Sequence, residues 1–125
     1  MATVRYLVHD LDAALPFYVD LLGFEVWERH GPAIAILAKG DLRLWLSGPT
    51  SSAARPMPGG RSPESGGWNR LVIEVDDLNE TVSRWNEAGV GFRNQIVAGP
   101  GGRQILAEDP SGIPIELFQS RPDRT

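Results

Sequence analysis

The stretch EDPSGIPIELF (residues 108–118) joins a turn motif to an apolar strand motif. In its Asp-Pro-Ser-Gly part, proline is favoured at the second position of a type I turn and glycine at its end, so the chain is predicted to reverse there. Alternation along the following strand places Glu116 on the face opposite Ile115 and Leu117. Because the flanking residues on both faces are apolar, we expect Glu116 to be buried, and a buried carboxylate needs a cation, a hydrogen-bond donor or a proton.

Composition limits the classes of protein and partner. The chain has 125 residues, a net charge of -4 and no cysteine, a length that predicts one compact domain or two small fused halves. The acidic balance, without a Lys/Arg cluster, argues against nucleic acid as a partner. No apolar run reaches the roughly 18 residues of a membrane span, and no leader segment is evident. Lack of cysteine excludes disulfides and thiol catalysis and fits a cytoplasmic location.

Hydrophobic periodicity predicts the same order of elements in both halves of the chain: strand, helix, strand, strand, strand. The first half is predicted to have strands at 4–8, 24–29, 33–38 and 42–47 and a helix over 11–22; the second half is predicted to have strands at 69–75, 91–97, 103–108 and 113–118 and a helix from 78 to about 88. Asp10 and Asp77 are predicted helix N-caps. Pro16 inside the first helix predicts a kink or a late start.

The two halves also repeat in residues. LVHDL (7–11) matches EVDDL (74–78) at a shift of 67 positions, and LWL (44–46) matches IEL (115–117). Such a repeat indicates two copies of one supersecondary unit. The predicted fold is therefore α+β, with two tandem βαβββ modules at about 1–47 and 69–120 forming a curved mixed sheet around a cleft, with the helices outside.

Residues 48–68 differ from the rest because they are rich in Pro, Gly and Ser and carry no apolar period. One interpretation is a flexible linker between the modules. The other is a loop that folds over a ligand or a partner subunit, since long loops in compact domains are often functional.

Three motifs, in order and at this spacing, resemble the glyoxalase, bleomycin-resistance and extradiol-dioxygenase superfamily, also called vicinal oxygen chelate proteins. They are DL…FY…LLGF (10–24), EVDDL (74–78) and DPSG…IELF (109–118). The resemblance covers nearly the whole chain and implies the two-module fold. It implies less about activity, because one fold hosts many functions.

The resemblance also implies where a metal would bind in metal-dependent members of this family. The four ligand positions fall on Thr3, Trp45, Arg70 and Glu116. Only Glu116 is a good ligand, and one carboxylate cannot hold a catalytic divalent ion against water. The two histidines, at 9 and 30, fall on none of these positions. We therefore expect no metal and no other cofactor.

Arg70 suggests what replaces the metal. A guanidinium keeps its charge and forms bidentate pairs with carboxylates. Our hypothesis is that Arg70, with Arg5, stands beside Glu116. The alternative is that such an ion pair is purely structural.

The predicted hollow-facing side supplies the candidate ligand-binding residues. Trp45 and Trp68 are candidates for flat aromatic contacts, although core or dimer packing would explain tryptophans equally well. The full candidate set is Thr3, Arg5, Trp45, Trp68, Arg70, Val72, Arg93, Gln104, Leu106, Glu116 and Phe118. A mostly apolar cavity with a few polar groups is the usual form of a small-molecule site.

Two functions follow as hypotheses. The first is a metal-independent, homodimeric binding protein that resembles the bleomycin-resistance branch and sequesters an aromatic or cationic small molecule. The second is a lyase, isomerase or dioxygenase of the same fold with Glu116 as a general base or ligand. A partner-docking module without a ligand is a third possibility.

Overall fold

A computed structural model describes residues 2–122. The chain forms two compact units, divided between Ser65 and Gly66. Among the described residues, no helix is long and apolar enough to cross a membrane.

The first unit contains a four-stranded sheet. Its elements are β1 (Val4–Leu7), α1 (Leu11–Pro16), a π-helical turn (Phe17–Leu21), β2 (Glu25–His30), β3 (Ile34–Lys39), β4 (Leu42–Ser47) and a 3-10 turn (Ser52–Ala54). The strand order is β1-β4-β3-β2, with β1 parallel to β4 and the other pairs antiparallel. One sheet face is the core side, where Leu37, Leu44 and Leu46 are fully buried.

The second unit repeats this topology. It contains β5 (Leu71–Glu74), α2 (Leu78–Glu87), β6 (Gly91–Phe92), β7 (Val97–Gly99), β8 (Gly102–Glu108) and β9 (Pro114–Ser120). The order is β5-β9-β8-β6, with β5 parallel to β9 as β1 is to β4, and β7 pairs separately with β8. The predicted α+β class with two βαβββ modules is confirmed.

The helices begin where the repeat predicts. The Asp10 side chain accepts a hydrogen bond from the Asp12 N–H at 2.9 Å, and Asp77 accepts one from the Glu80 N–H at 3.1 Å. Each aspartate satisfies one of the amide groups that a helix start leaves open. The alternative of a late helix start is wrong, because α1 begins at Leu11. The α-helical part ends at Pro16, and the chain continues as a π-helical turn.

The predicted single strand over residues 91–97 is wrong. The chain forms the short strands β6 and β7 instead, and residues 93–96 lie outside both. The cause is a side chain: Oδ1 of Asn94 accepts a hydrogen bond from the Leu106 N–H at 2.9 Å, while the Arg93 N–H donates to the Leu106 carbonyl at 2.8 Å. A side-chain acceptor thus replaces the backbone ladder at this point, a competition typical of asparagine.

Most of the segment proposed as a linker has local structure. Both the N–H and the Oγ of Ser51 donate to the Gly48 carbonyl, at 3.1 and 2.7 Å. Met57 closes a turn through its N–H to the Arg61 carbonyl at 2.7 Å. Ser65 Oγ lies 2.9 Å from His9 Nε2, so the end of this segment is tied to the end of β1.

Candidate functional site

An arginine–glutamate ion pair lies on the sheet of the second unit. Nη2 and Nε of Arg70 both donate to Oε1 of Glu116, at 2.8 and 3.1 Å. Glu116 is 7% exposed, and the Arg70 side chain is 28% exposed. The predicted pairing of Glu116 with Arg70 is therefore confirmed as a contact. Both donors use Oε1, and among residues 2–122 no hydrogen bond engages Oε2.

Burial of Glu116 follows from its place in the sheet. It lies in the central strand β9, where its cross-strand neighbours are Val72 on β5 and Leu106 on β8. Leu106 is buried, whereas Val72 on the edge strand is 53% exposed. The carboxylate is therefore flanked by two apolar side chains, which strengthens its need for the guanidinium.

Two further predicted site residues belong to the next row of the same sheet face. Phe118 is two residues beyond Glu116, and Gln104 is its cross-strand neighbour on β8. Both are half-buried. Because side chains at i and i+2 share a strand face, the second unit brings Arg70, Val72, Gln104, Leu106, Glu116 and Phe118 to one surface.

Trp68 and Arg93 stand together at the edge of this surface. The Cζ atom of Arg93 lies 4.5 Å from the centre of the Trp68 ring, within the range of a cation–π contact. Trp68 is 67% exposed. Arg93 also donates to Glu108 Oε2 and to the Gly67 carbonyl, both at 2.7 Å, and to the Gly112 carbonyl at 2.9 Å.

The remaining predicted site residues belong to the first unit. Arg5 and Trp45 are register partners on β1 and β4, and the Arg5 guanidinium lies 5.0 Å from the Trp45 ring centre. Arg5 also donates to Ser47 Oγ at 3.5 Å, a long hydrogen bond to a buried hydroxyl. Thr3 is exposed and precedes β1.

Sequence reasoning missed a second aromatic pair on the first unit. The Arg43 guanidinium lies 4.2 Å from the ring centre of Trp27, which is 54% exposed. The sequence did contain a signal for Arg43. It lies two residues before Trp45 on β4, so both side chains must be on the same face of the strand. Sequence reasoning also missed Glu108, whose carboxylate pairs with Arg93.

The first unit also has a half-open pocket of about 410 Å³. Its walls come from the end of β1, the end of β4 and the structured segment that follows: Leu7, Val8, His9, Ser47, Gly48, Pro49, Ala54, Pro63, Glu64 and Ser65. The His9–Ser65 hydrogen bond lies in this wall. This volume is at the small end of the range for ligand pockets.

A catalytic metal ion needs several His, Asp or Glu ligands close together. Within the part of the chain that the structure describes, no three His, Asp or Glu residues are grouped so that they could hold one. At Glu116 the guanidinium of Arg70 already occupies the position of a counter-cation on Oε1. An arginine is positively charged and offers no lone pair, so it would repel a divalent ion there.

The turn before β9 places Glu116 in register. Oδ1 of Asp109 accepts hydrogen bonds from the Ser111 and Ile113 N–H groups, both at 2.8 Å. The Gly112 N–H donates to the Asp109 carbonyl at 3.0 Å, and Gly112 has a φ of 82°. The predicted reversal is therefore confirmed, with the aspartate side chain as its main acceptor.

Comparison with known proteins gives one family match. The model described as "Glyoxalase/Bleomycin resistance protein/Dioxygenase superfamily" matches residues 1–117. Among curated proteins, the mitochondrial methylmalonyl-CoA epimerase of Bos taurus is 29% identical over an alignment that covers 94% of this chain and 72% of that protein.

Solved structures share the fold. TnmS3, an antibiotic-binding protein from a Streptomyces species, superposes with a TM-score of 0.68 at 28% identity, covering 97% of each chain. The fosfomycin resistance protein FosX of Listeria monocytogenes superposes with a TM-score of 0.73, covering 98% of this chain and 94% of that chain. Its identity of 14% supports likeness of fold alone.

Proposed function

This chain belongs to the glyoxalase/bleomycin resistance protein/dioxygenase superfamily, and we propose that it binds a small molecule without a metal ion. The observation that carries the proposal is the Arg70–Glu116 ion pair, at 2.8 Å. The family resemblance assigns both residues to metal-ligand positions, and here one of them is a cation. A site of this kind can recognise a ligand by shape and hydrogen bonding but lacks the open coordination positions that metal catalysis needs.

The second-unit surface has the composition of a ligand site. Val72, Leu106 and Phe118 supply apolar area, and Trp68 supplies a large exposed ring. In this proposal Oε2 of Glu116, which accepts no hydrogen bond from residues 2–122, accepts one from an amine, amide or hydroxyl group of the ligand. A few polar groups within an apolar lining are typical of small-molecule sites. The likeness to an antibiotic-binding protein supports drug sequestration as the biological role.

The test combines metal analysis with ligand titration. The purified protein would be analysed for bound metals by mass spectrometry, then titrated with glycopeptide antibiotics and aromatic metabolites while tryptophan fluorescence is recorded. We expect substoichiometric metal and saturable quenching by at least one compound, with weaker binding by Glu116→Gln. Stoichiometric metal, or no quenching across the panel, would count against the proposal.

An enzymatic function is the second candidate, and the curated relatives favour an isomerase. The epimerase likeness covers 94% of this chain, and a buried glutamate can act as a general base. The test is proton exchange: an epimerase that uses Glu116 would exchange the α-proton of methylmalonyl-CoA for deuterium in D2O, and Glu116→Gln would abolish it. Exchange in the wild-type protein would replace the first proposal with this one.

We propose in addition that the protein is a cytoplasmic homodimer. Large apolar side chains, including Val26 and Trp27, are exposed to solvent on the first unit. A second copy of the chain would bury this apolar surface. Symmetric dimers are the commonest oligomers. The absence of cysteine suits a reducing compartment. Light scattering coupled to size-exclusion chromatography would give the mass, and a monomer at micromolar concentration would contradict the dimer.

The third possibility is a partner-docking module that takes no ligand. Such a module would bind a protein partner and none of the small molecules in the titration panel.

A further inference from the structure

Two arginines hold consecutive carbonyl groups next to the exposed Trp68. Arg93 donates through Nη1 to the Gly67 carbonyl at 2.7 Å, and Arg70 donates through Nη1 to the Trp68 carbonyl at 3.2 Å. The backbone on both sides of the Trp68 Cα is therefore held by guanidinium groups. This is unusual support for a residue in an irregular segment, where few backbone contacts normally restrict motion.

Each arginine is in turn fixed to the sheet by a carboxylate. Arg93 pairs with Glu108 on β8 at 2.7 Å, and Arg70 pairs with Glu116 on β9 at 2.8 Å. Charge-assisted, multidentate contacts of arginine restrict both distance and orientation. The Trp68 segment is thus attached through two Arg–Glu pairs to the strands that carry the candidate site.

The indole ring itself rests on one of these arginines. The Arg93 Cζ atom lies 4.5 Å from the ring centre, and the residue is still 67% exposed. One face of the ring is therefore covered by a guanidinium that is already held by three hydrogen bonds, while most of the residue's surface stays exposed. An aromatic surface fixed before binding loses little freedom when a ligand stacks on it.

The charges of this cluster indicate what kind of ligand it suits. Arg70 and Arg93 are matched by Glu108 and Glu116, so the four side chains carry no net charge. The cluster as a whole therefore exerts no net electrostatic attraction on a charged ligand. Arg70 links the Trp68 carbonyl to Oε1 of Glu116, so the cluster suits a neutral ring that stacks on Trp68 and carries a hydrogen-bond donor for the glutamate.

We propose that Arg93 is a positioning residue, which fixes the Trp68 indole as one wall of the site so that a neutral, flat aromatic molecule with a hydrogen-bond donor stacks on the opposite face. This inference rests on the proposed binding function for the ligand, but its positioning part is independent of any ligand. Arg93 acts through Trp68, because each of its three side-chain nitrogens already donates one hydrogen bond, to Glu108, Gly67 and Gly112.

The positioning role is tested in the free protein by ¹⁵N relaxation of tryptophan indole groups. Loss of one signal in Trp68→Phe assigns the Trp68 indole. We expect this indole to be as ordered as the backbone in the wild-type protein and to become mobile on the nanosecond timescale in Arg93→Met. The control is Arg55→Met, which removes an exposed arginine elsewhere and should change nothing. An equally rigid Trp68 in Arg93→Met would overturn the inference.

Two other variants keep the test decisive if Arg93→Met fails to fold. Arg93→Lys keeps a cation but loses the planar fork, and Glu108→Gln keeps an acceptor but loses the ion pair. Both should give intermediate mobility of the Trp68 indole while the other three indole groups keep their wild-type relaxation. Unchanged Trp68 relaxation in both folded variants would contradict the positioning role.

Ligand class is tested with three probes: 2-naphthol, 2-methoxynaphthalene and decahydro-2-naphthol. The first is flat with a donor, the second lacks the donor, and the third lacks the flat ring. We expect 2-naphthol to bind best, and to bind about five- to tenfold more weakly to Arg93→Met and to Trp68→Phe, as expected for loss of one ordered aromatic contact.

The outcomes separate this inference from the proposed function. If 2-naphthol binds the wild-type protein and Arg93→Met equally, the claim that the ordered Trp68 ring is a wall of the site fails and the binding function stands. If the charged members of the antibiotic panel bind while 2-naphthol does not, the ligand class fails and the binding function stands. If no probe and no panel member binds, the proposed function fails, while the relaxation result still decides the role of Arg93.

Discussion

Asp109 and Ile113 are joined by two hydrogen bonds that close the turn before β9. The Ile113 N–H donates to Oδ1 of Asp109 at 2.8 Å, and the Asp109 N–H donates to the Ile113 carbonyl at 2.9 Å. The same carboxylate oxygen also accepts the Ser111 N–H. Because Glu116 follows three residues later, this turn determines which face of β9 carries the glutamate.

We expect Asp109→Ala to lower the free energy of unfolding by about 1–3 kcal/mol, since it leaves two buried N–H donors without their acceptor. Urea denaturation followed by circular dichroism measures the change. Asp109→Asn retains an oxygen at the Oδ1 position and should lose less. An alanine variant as stable as the asparagine variant would mean that the side-chain acceptor is dispensable.

The Arg70–Glu116 pair predicts a strongly non-additive double-mutant cycle. Arg70→Met should lower the free energy of unfolding by about 2–3 kcal/mol, because it leaves the Glu116 carboxylate, on a side chain that is 9% exposed, without its cation. Arg70→Met combined with Glu116→Met should cost less than Arg70→Met alone, because no buried charge remains. Chemical denaturation of all four proteins measures the coupling.

Ligand binding would separate the two roles of that pair. If the pair serves only stability, the doubly apolar variant should bind the ligand as the wild-type protein does. If Glu116 accepts a hydrogen bond from the ligand, binding should be lost in every variant that lacks the glutamate. Fluorescence titration of the same four proteins distinguishes these results.

A close backbone approach between β8 and β9 predicts a sharp effect at Gly102. Its φ is 154°, and a Cβ atom there would lie 2.1 Å from the Gln119 carbonyl oxygen. Gly102→Ala should therefore destabilise the protein by about 3 kcal/mol, through backbone displacement and strain. Gly99→Ala is the matched control, because its nearest contact would be 3.9 Å away. Thermal denaturation compares them, and equal melting temperatures would contradict the prediction.

The sequence predicted the features that depend on local chemistry. Alternation in residues 113–118 correctly predicted a buried Glu116, and the repeat correctly predicted two βαβββ modules. The features it missed depend on individual long-range contacts. The Asn94 side chain interrupts the strand at 91–97 by bonding to Leu106, and the role of Arg93 depends on carbonyls at Gly67 and Gly112. No periodicity encodes such partners, because each is brought close only when the sheet has formed.

An aspartate caps the first helix of each unit. Asp77 caps α2 through the Glu80 N–H at 3.1 Å, and the adjacent Asp76 is exposed and makes no such bond among residues 2–122. Asp77→Ala should lower the free energy of unfolding by about 1 kcal/mol because one amide at the helix start loses its acceptor. Asp76→Ala removes the same charge from the same turn and should change stability by less than about 0.5 kcal/mol. Because the two variants differ only in capping geometry, equal losses in urea denaturation would assign the effect to charge near the helix start rather than to the hydrogen bond.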